Sequence, residues 1–423
     1  MSRVPALALA LLSLPPALLG LALLPPILGP YILAAGQVEP GTQTTAAWVS
    51  GVGLLILALL GLRRAARLWK HAARIDARRV QFGLLTACVG GVALLGLMEL
   101  FTRVATTPED VLDGEDLHRY QWVAGRKLAP QGDGFNEDYP DRYDAALGWV
   151  PSENHRSARI NVNSRGLRGT REHGPKRAGE KRIVIIGDSF TWGQDVADSE
   201  VYSEVLERML RDTSVINLGV HGYGTDQQFL RLKAVGFDYD PDLVILSFYK
   251  SNADRNVLSF RSYAKPRFRL VGGELRLENV PVPAPDDPRV AAYDAGLRLH
   301  VWELFKKTAA RAVDHTRFDR KWELTCAILD AAREETRERG VPFLLVYIPA
   351  ARPQFSRGPE ATEAVLAAWA AREGVPFLNL RPKFLALPED RRDRLYAGHW
   401  TPEGHRAAAT FIAERIAAEG WLD

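Results

Sequence analysis

The stretch Arg182-Ile183-Val184-Ile185-Ile186-Gly187-Asp188-Ser189-Phe190-Thr191-Trp192-Gly193 decides how this chain is read. Four β-branched residues in a row suit a short strand buried on both faces. Gly187 ends the run, a hydroxyl residue follows at the strand's carboxyl end, and a helix starts shortly after. That geometry exposes Ser189 Oγ and aims the Ser189 backbone N–H at any oxyanion formed there. Gly-Asp-Ser by itself is a common turn or helix cap. Its place at the end of a first strand makes Ser189 a candidate nucleophile.

Outward from this point, strand and helix patterns alternate. Val201 to Arg211 has helical periodicity, Ser214 to Leu218 reads as a strand, and Thr225 to Val235 as a helix. Leu243 to Tyr249 is an apolar strand, Trp322 to Arg339 a helix, and Pro342 to Ile348 a strand. Glu360 to Arg372, Val375 to Leu380 and His405 to Glu419 complete the series as helix, strand and helix. Such alternation predicts a parallel sheet covered on both faces, with ligands beyond the carboxyl ends of its strands. Between residues 259 and 321 the alternation breaks. Arg267 to Val282 reads as a hairpin around Gly272-Gly273 and Tyr293 to Asp314 as a helix, together an insertion able to act as a lid.

The other strand ends carry chemistry too. Asn217-Leu218-Gly219-Val220-His221-Gly222-Tyr223-Gly224 is a glycine-rich turn that lets backbone approach a substrate. Phe248-Tyr249-Lys250-Ser251-Asn252-Ala253-Asp254 offers a side-chain amide, and Lys250 beside it is suited to an anionic group. Before the last helix comes His399-Trp400-Thr401-Pro402-Glu403-Gly404-His405. A serine nucleophile needs a base, and the imidazole of His399 suits neutral pH. His405, just inside the helix, is expected to pack or cap.

These four pieces in this order resemble the SGNH (GDSL-like) hydrolase superfamily over about residues 182 to 423. The resemblance implies a three-layer α/β/α, flavodoxin-like parallel sheet, with Ser189 as nucleophile and His399 as base. It implies an oxyanion site from the N–H groups of Ser189 and Gly222 (Gly219 is the alternative) and the amide of Asn252. It calls for no cofactor and no metal. Leu147-Gly148-Trp149 and Asn163-Ser164-Arg165-Gly166-Leu167-Arg168-Gly169 also look like segments that precede this motif in membrane-anchored members. One departure stands out. The family's Asp two or three positions before the base is here Ala397 or Tyr396. Asp393 is the nearest upstream candidate for the orienting carboxylate. A Ser–His dyad steadied by a backbone carbonyl is the other arrangement.

Upstream of this domain the composition changes. Val4 to Val38 carries no charge, and Ala46 to Leu62 and Val80 to Phe101 are further apolar runs, the last containing Glu99. A helical span needs about 20 apolar residues, so residues 1–103 read as a membrane anchor of about three helices. Residues 104–181 read as a connector and small irregular subdomain. Arg63, Arg64, Arg67, Lys70, Arg74, Arg78 and Arg79 face a single Asp76 between the last two runs. By the positive-inside rule this loop is cytoplasmic and everything after about Arg103 lies outside the cytoplasm.

Lys and Arg number 54 against 51 Asp and Glu, a formal charge of +3. That balance lacks the concentrated basic face of a nucleic-acid binder. The expected partners are the membrane and an acylated small molecule or glycan. The leading expectation is an extracytoplasmic O-acyl esterase. The alternatives are an O-acyltransferase working with a membrane-protein partner, and an inactive glycan-binding protein.

Overall fold

The computed structural model describes residues 63, 77–112, 114–128, 140–291, 298–312, 314–351 and 358–422. The chain divides into two compact units, Met1–Gln121 with Asp294–Arg317, and Trp122–Tyr293 with Phe318–Asp423. Part of the expected insertion, residues 294–317, thus belongs with the N-terminal unit.

In the first unit the helix Ala77–Ala105 contains the third apolar run. Its window Cys88–Ala105 is long and apolar enough to cross a membrane, and it is largely exposed. Leu85, Val89, Val92, Leu97 and Val104 are all exposed. A water-soluble helix keeps its apolar side chains to one covered stripe. Glu99 accepts hydrogen bonds from the N–H groups of His300 (3.0 Å) and Val301 (3.1 Å), capping the helix His300–Ala312. A carboxylate there meets the positive end of the helix dipole. The two earlier apolar runs and all but Arg63, Arg78 and Arg79 of the basic loop lie outside the described residues.

The second unit is built on a five-stranded sheet: β3 (Lys181–Ile186), β4 (Thr213–Asn217), β5 (Leu243–Tyr249), β8 (Phe343–Ile348) and β9 (Phe377–Asn379). Their order is β4-β3-β5-β8-β9, and every pair is parallel. Alternate residues feed opposite faces, as strand geometry requires. Val184 and Ile186 join Val244 and Leu246 under the helices Thr225–Arg231 and Ala361–Glu373, with Trp322 and Ile328 packed alongside. Ile183 and Ile185 join Val215 and Ile245 under Tyr202–Met209 and Pro402–Glu419. This is the three-layer arrangement expected from the sequence. In this order the connections run to one side of β3 (β4) and then to the other (β5, β8, β9), the switch point at which a crevice forms at the carboxyl ends of β3 and β5.

Two hairpins decorate the sheet, β1 (Asp141–Asp144) with β2 (Gly148–Pro151), and β6 (Arg267–Val271) with β7 (Glu274–Glu278). A third, β10 (Tyr396–Ala397) with β11 (His399–Trp400), precedes the last helix. A separate apolar cluster joins Leu147, Trp149, Val220, Tyr223, Phe260 and Tyr263. It ties the Leu-Gly-Trp segment to the turn after β4. The Trp149 Nε1–H donates to His221 O (3.1 Å), and the Tyr223 hydroxyl to Trp149 O (2.5 Å).

Candidate active site

Ser189 opens a short helix, Ser189–Trp192, at the end of β3. Asp188 caps that helix by accepting from Phe190 N at 3.1 Å. The turn is tight enough that a β-carbon on Gly187 would lie 1.9 Å from Thr191 Oγ1. As the first helical residue, Ser189 has an N–H that the helix leaves without a backbone acceptor.

His399 is brought to this turn by the β10–β11 hairpin. Its Nε2 stands 2.9 Å from Ser189 Oγ, and its Nδ1 stands 3.2 Å from Asp195 Oδ2. The imidazole packs on Phe190, ring centroids 5.0 Å apart. With the proton on Nδ1 donated to Asp195, the Nε2 lone pair faces the serine hydroxyl.

The carboxylate on Nδ1 corrects the expectation for Asp393. Asp393 ends an exposed helix, Glu389–Asp393, upstream of the hairpin. The imidazole instead meets Asp195, on the loop that follows the Ser189–Trp192 helix. On this loop Asp195 adopts φ +72°, a left-handed conformation that Asp tolerates better than most residues. The loop is held from upstream. The Arg168 guanidinium donates to the carbonyls of Trp192 (3.1 Å), Gly193 (3.2 Å) and Val196 (2.8 Å) and pairs with Asp198. Arg159 donates to the carbonyl of Asp195 itself. The Asn163–Gly169 segment therefore acts on the site through Arg168. Asn163 is fully buried and shapes the turn by accepting from the N–H groups of Arg165 and Leu167.

Gly222 sits at φ +76° in the turn after β4. Gly219, the alternative, packs against the Ser189–Trp192 helix instead, and a β-carbon there would lie 2.5 Å from Trp192 N. Asn252 is fully buried at the site, but its amide is engaged. Nδ2 donates to Asp188 Oδ2 (3.1 Å) and Tyr223 O (3.0 Å), and Oδ1 accepts from Tyr249 N (2.6 Å). It braces the strand ends, and it reaches an oxyanion only by releasing one of those acceptors. Lys250 faces Glu360, Nζ to Oε1 3.8 Å, and Asp254 pairs with Lys321 at 2.7 Å. His405 is buried and accepts from Tyr202 N at 3.2 Å, and burial pushes it down to about 3, so it packs as a neutral ring.

No family model matches the sequence, and no curated protein matches it. Among solved structures, the chain is similar to a putative lipolytic protein of the G-D-S-L family from Desulfitobacterium hafniense, at 13% identity and a TM-score of 0.32. That similarity covers 56% of this chain and 99% of the other. A lipase/acylhydrolase from Enterococcus faecalis is 18% identical with a TM-score of 0.32, covering 56% and 96%. A two-domain esterase active on acetylated mannans is 16% identical with a TM-score of 0.33, covering 57% of this chain and half of that one.

A groove of about 830 Å³, lined by Leu147, Phe229, Phe268 and Leu275 among others, is separate from this site. None of Ser189, Asp195 or His399 lines it.

Proposed function

We propose that this chain is an SGNH-type serine hydrolase acting on ester bonds. The hydrogen-bonded row Ser189–His399–Asp195 carries the proposal. The Ser189 hydroxyl loses its proton to His399 Nε2 as Oγ bonds to the ester carbonyl carbon. The carbonyl oxygen becomes an oxyanion facing the N–H groups of Ser189 and Gly222. Each such donor contributes about 3 kcal/mol to the transition state. Collapse breaks the bond to the leaving alcohol, which takes the proton from His399 and leaves an acyl-serine. Water, deprotonated by the same imidazole, releases the acid and restores the serine. Asp195 holds the Nδ1 tautomer and balances the imidazolium between these steps.

The substrate class we favour is an O-acylated, chiefly acetylated, glycan met outside the cytoplasm. The sequence's basic loop supports that side of the membrane, and the exposed apolar helix Ala77–Ala105 supports an anchor in it. The same helix favours a second reading, an acyltransferase to which a membrane partner supplies acyl groups, because the acyl-serine is common to both. The test uses the detergent-solubilised full chain with 4-nitrophenyl acetate and a fluorophosphonate probe. Ser189→Ala loses at least about 10⁴-fold in kcat and all labelling. Turnover that survives the substitution overturns the serine mechanism. Acetyl transfer to an added oligosaccharide faster than hydrolysis selects the transferase.

A further inference from the structure

Two arginines stand beside the turn that carries Ser189, and only Arg255 forms an ion pair with its carboxylate, Asp188. Arg255 Nη1 lies 2.7 Å from Asp188 Oδ2 and donates to Tyr223 O at 3.0 Å. Asp188 is saturated by that contact together with Phe190 N and the Asn252 amide. Arg261 donates from Nη1 to Ser262 Oγ at 2.6 Å, and no carboxylate among the described residues lies within 4 Å of its guanidinium.

Arg261 is presented rigidly. Phe260 and Ala264 bridge across the tip that carries it, Arg261 N donates to Tyr263 O (2.8 Å), and Lys265 N to Ser259 O (2.9 Å). Phe260, Tyr263 and Lys265 are fully buried at the base. Lys265 pairs there with buried Asp226 and donates to Arg255 O at 3.3 Å, which links the two arginine segments.

The tip lies directly against Gly222. A β-carbon on Gly222 would lie 3.1 Å from Ser262 Oγ and 3.7 Å from Arg261 Nη1. Burial, then the charge of Arg255, pushes the Arg261 guanidinium down to about 10, and the charge of Asp188 offsets only part of that. His221 adds no positive charge, because burial and the two arginines hold it at about 3. A partly buried cation with no direct ion pair is costly, and a guanidinium fork matches the oxygens of a carboxylate or phosphate.

The geometry points to Arg261 as the binding element for an anionic group, a carboxylate or a phosphate, on the substrate whose ester Ser189 attacks. This rests on the serine-hydrolase reading. Lys250, which the sequence offered for an anion, already faces Glu360.

The test compares three aryl acetates, neutral 4-acetoxybenzamide, 4-acetoxybenzoate and 4-acetoxyphenyl phosphate, on the full chain. At least one anionic ester exceeds the amide about tenfold or more in kcat/KM, and the better one identifies the group. Arg261→Gln removes that preference, and Arg261→Lys keeps part of it. An anionic-to-neutral ratio that is the same in wild type and Arg261→Gln overturns the proposal, including when both rates fall together. Binding is read separately by titrating Ser189→Ala with the three esters. An anion preference there, lost when Arg261→Gln is added, upholds the site even if wild type turns over nothing. Turnover without any anion preference sinks the site and leaves the hydrolase standing.

Discussion

The turn that carries Ser189 and the loop that carries Asp195 flank one short helix, yet they are held in different ways. Ser189 is buried at the end of a strand that is itself buried on both faces, and its neighbour Asp188 is fully enclosed. The Asp195 side chain is 54% exposed and sits on irregular backbone. The sheet places Ser189, whereas Asp195 is placed by side chains, chiefly Arg168, from a segment some thirty residues upstream. Stability and chemistry are therefore partly separable here, and substitutions on the two sides of His399 should behave differently.

The largest effect expected on the loop side is from Asp195→Asn. It lowers kcat about 10²-fold with little change in thermal midpoint. Water screens the exposed carboxylate, so the loss falls short of the ~10⁴ seen when a buried triad acid is changed. Asp393→Asn in the same assay stays within about twofold. Equal losses from both would mean that the hairpin holds His399 differently in solution. Arg168→Lys comes next, with kcat down about tenfold at unchanged KM, because an ammonium cannot span three carbonyls and Asp198 in one plane. Its stability loss, about 2–4 kcal/mol by denaturant unfolding, is absent from Asp195→Asn. Matching stability losses would erase the proposed division.

The smallest effect tests the sheet alone. Glu180, at the foot of β3, is buried, which opposes its ionisation. The Arg177 N–H, the Ser214 hydroxyl and Arg182 nonetheless bring it down from 4.5 to about 2. Its folded value lies below the unfolded one, so its contribution is full above about pH 4.5 and is lost as pH falls toward 2. Glu180→Gln should remove roughly one proton from the acid-unfolding transition in that window and leave kcat on an aryl acetate unchanged. An unaltered acid transition would show that Glu180 does not stabilise β3.

Much of the fold was legible because burial writes itself into composition. The run Ile183–Ile186, the apolar run Leu243–Phe248 and the helices between strands follow from periodicity, and the structure differs mainly at their ends. The hairpin over 267–282 was readable from Gly272-Gly273, although its strands stop at Glu278. Of the helix expected over 293–314, the described part His300–Ala312 falls in the other unit. Asp195 was not legible. It lies 204 residues from His399 in the chain, and a single Asp in an irregular loop has no periodicity to mark it. The nearest signal was Arg168 in the Asn-Ser-x-Gly-x-Arg-Gly segment, whose purpose appears only once its guanidinium is seen on the carbonyls around Asp195.

The chain itself determined that a serine follows a buried strand, that a histidine precedes the last helix, and that glycines allow backbone to close around both. These are local properties, set by side-chain type and by spacing along one strand or turn. Tertiary structure decided which carboxylate meets His399, that the Asn252 amide is engaged, and that Arg255 rather than Arg261 receives Asp188. Each of those outcomes depends on which side chains meet when distant segments pack, and charge pairing at 3 Å is settled by that geometry alone.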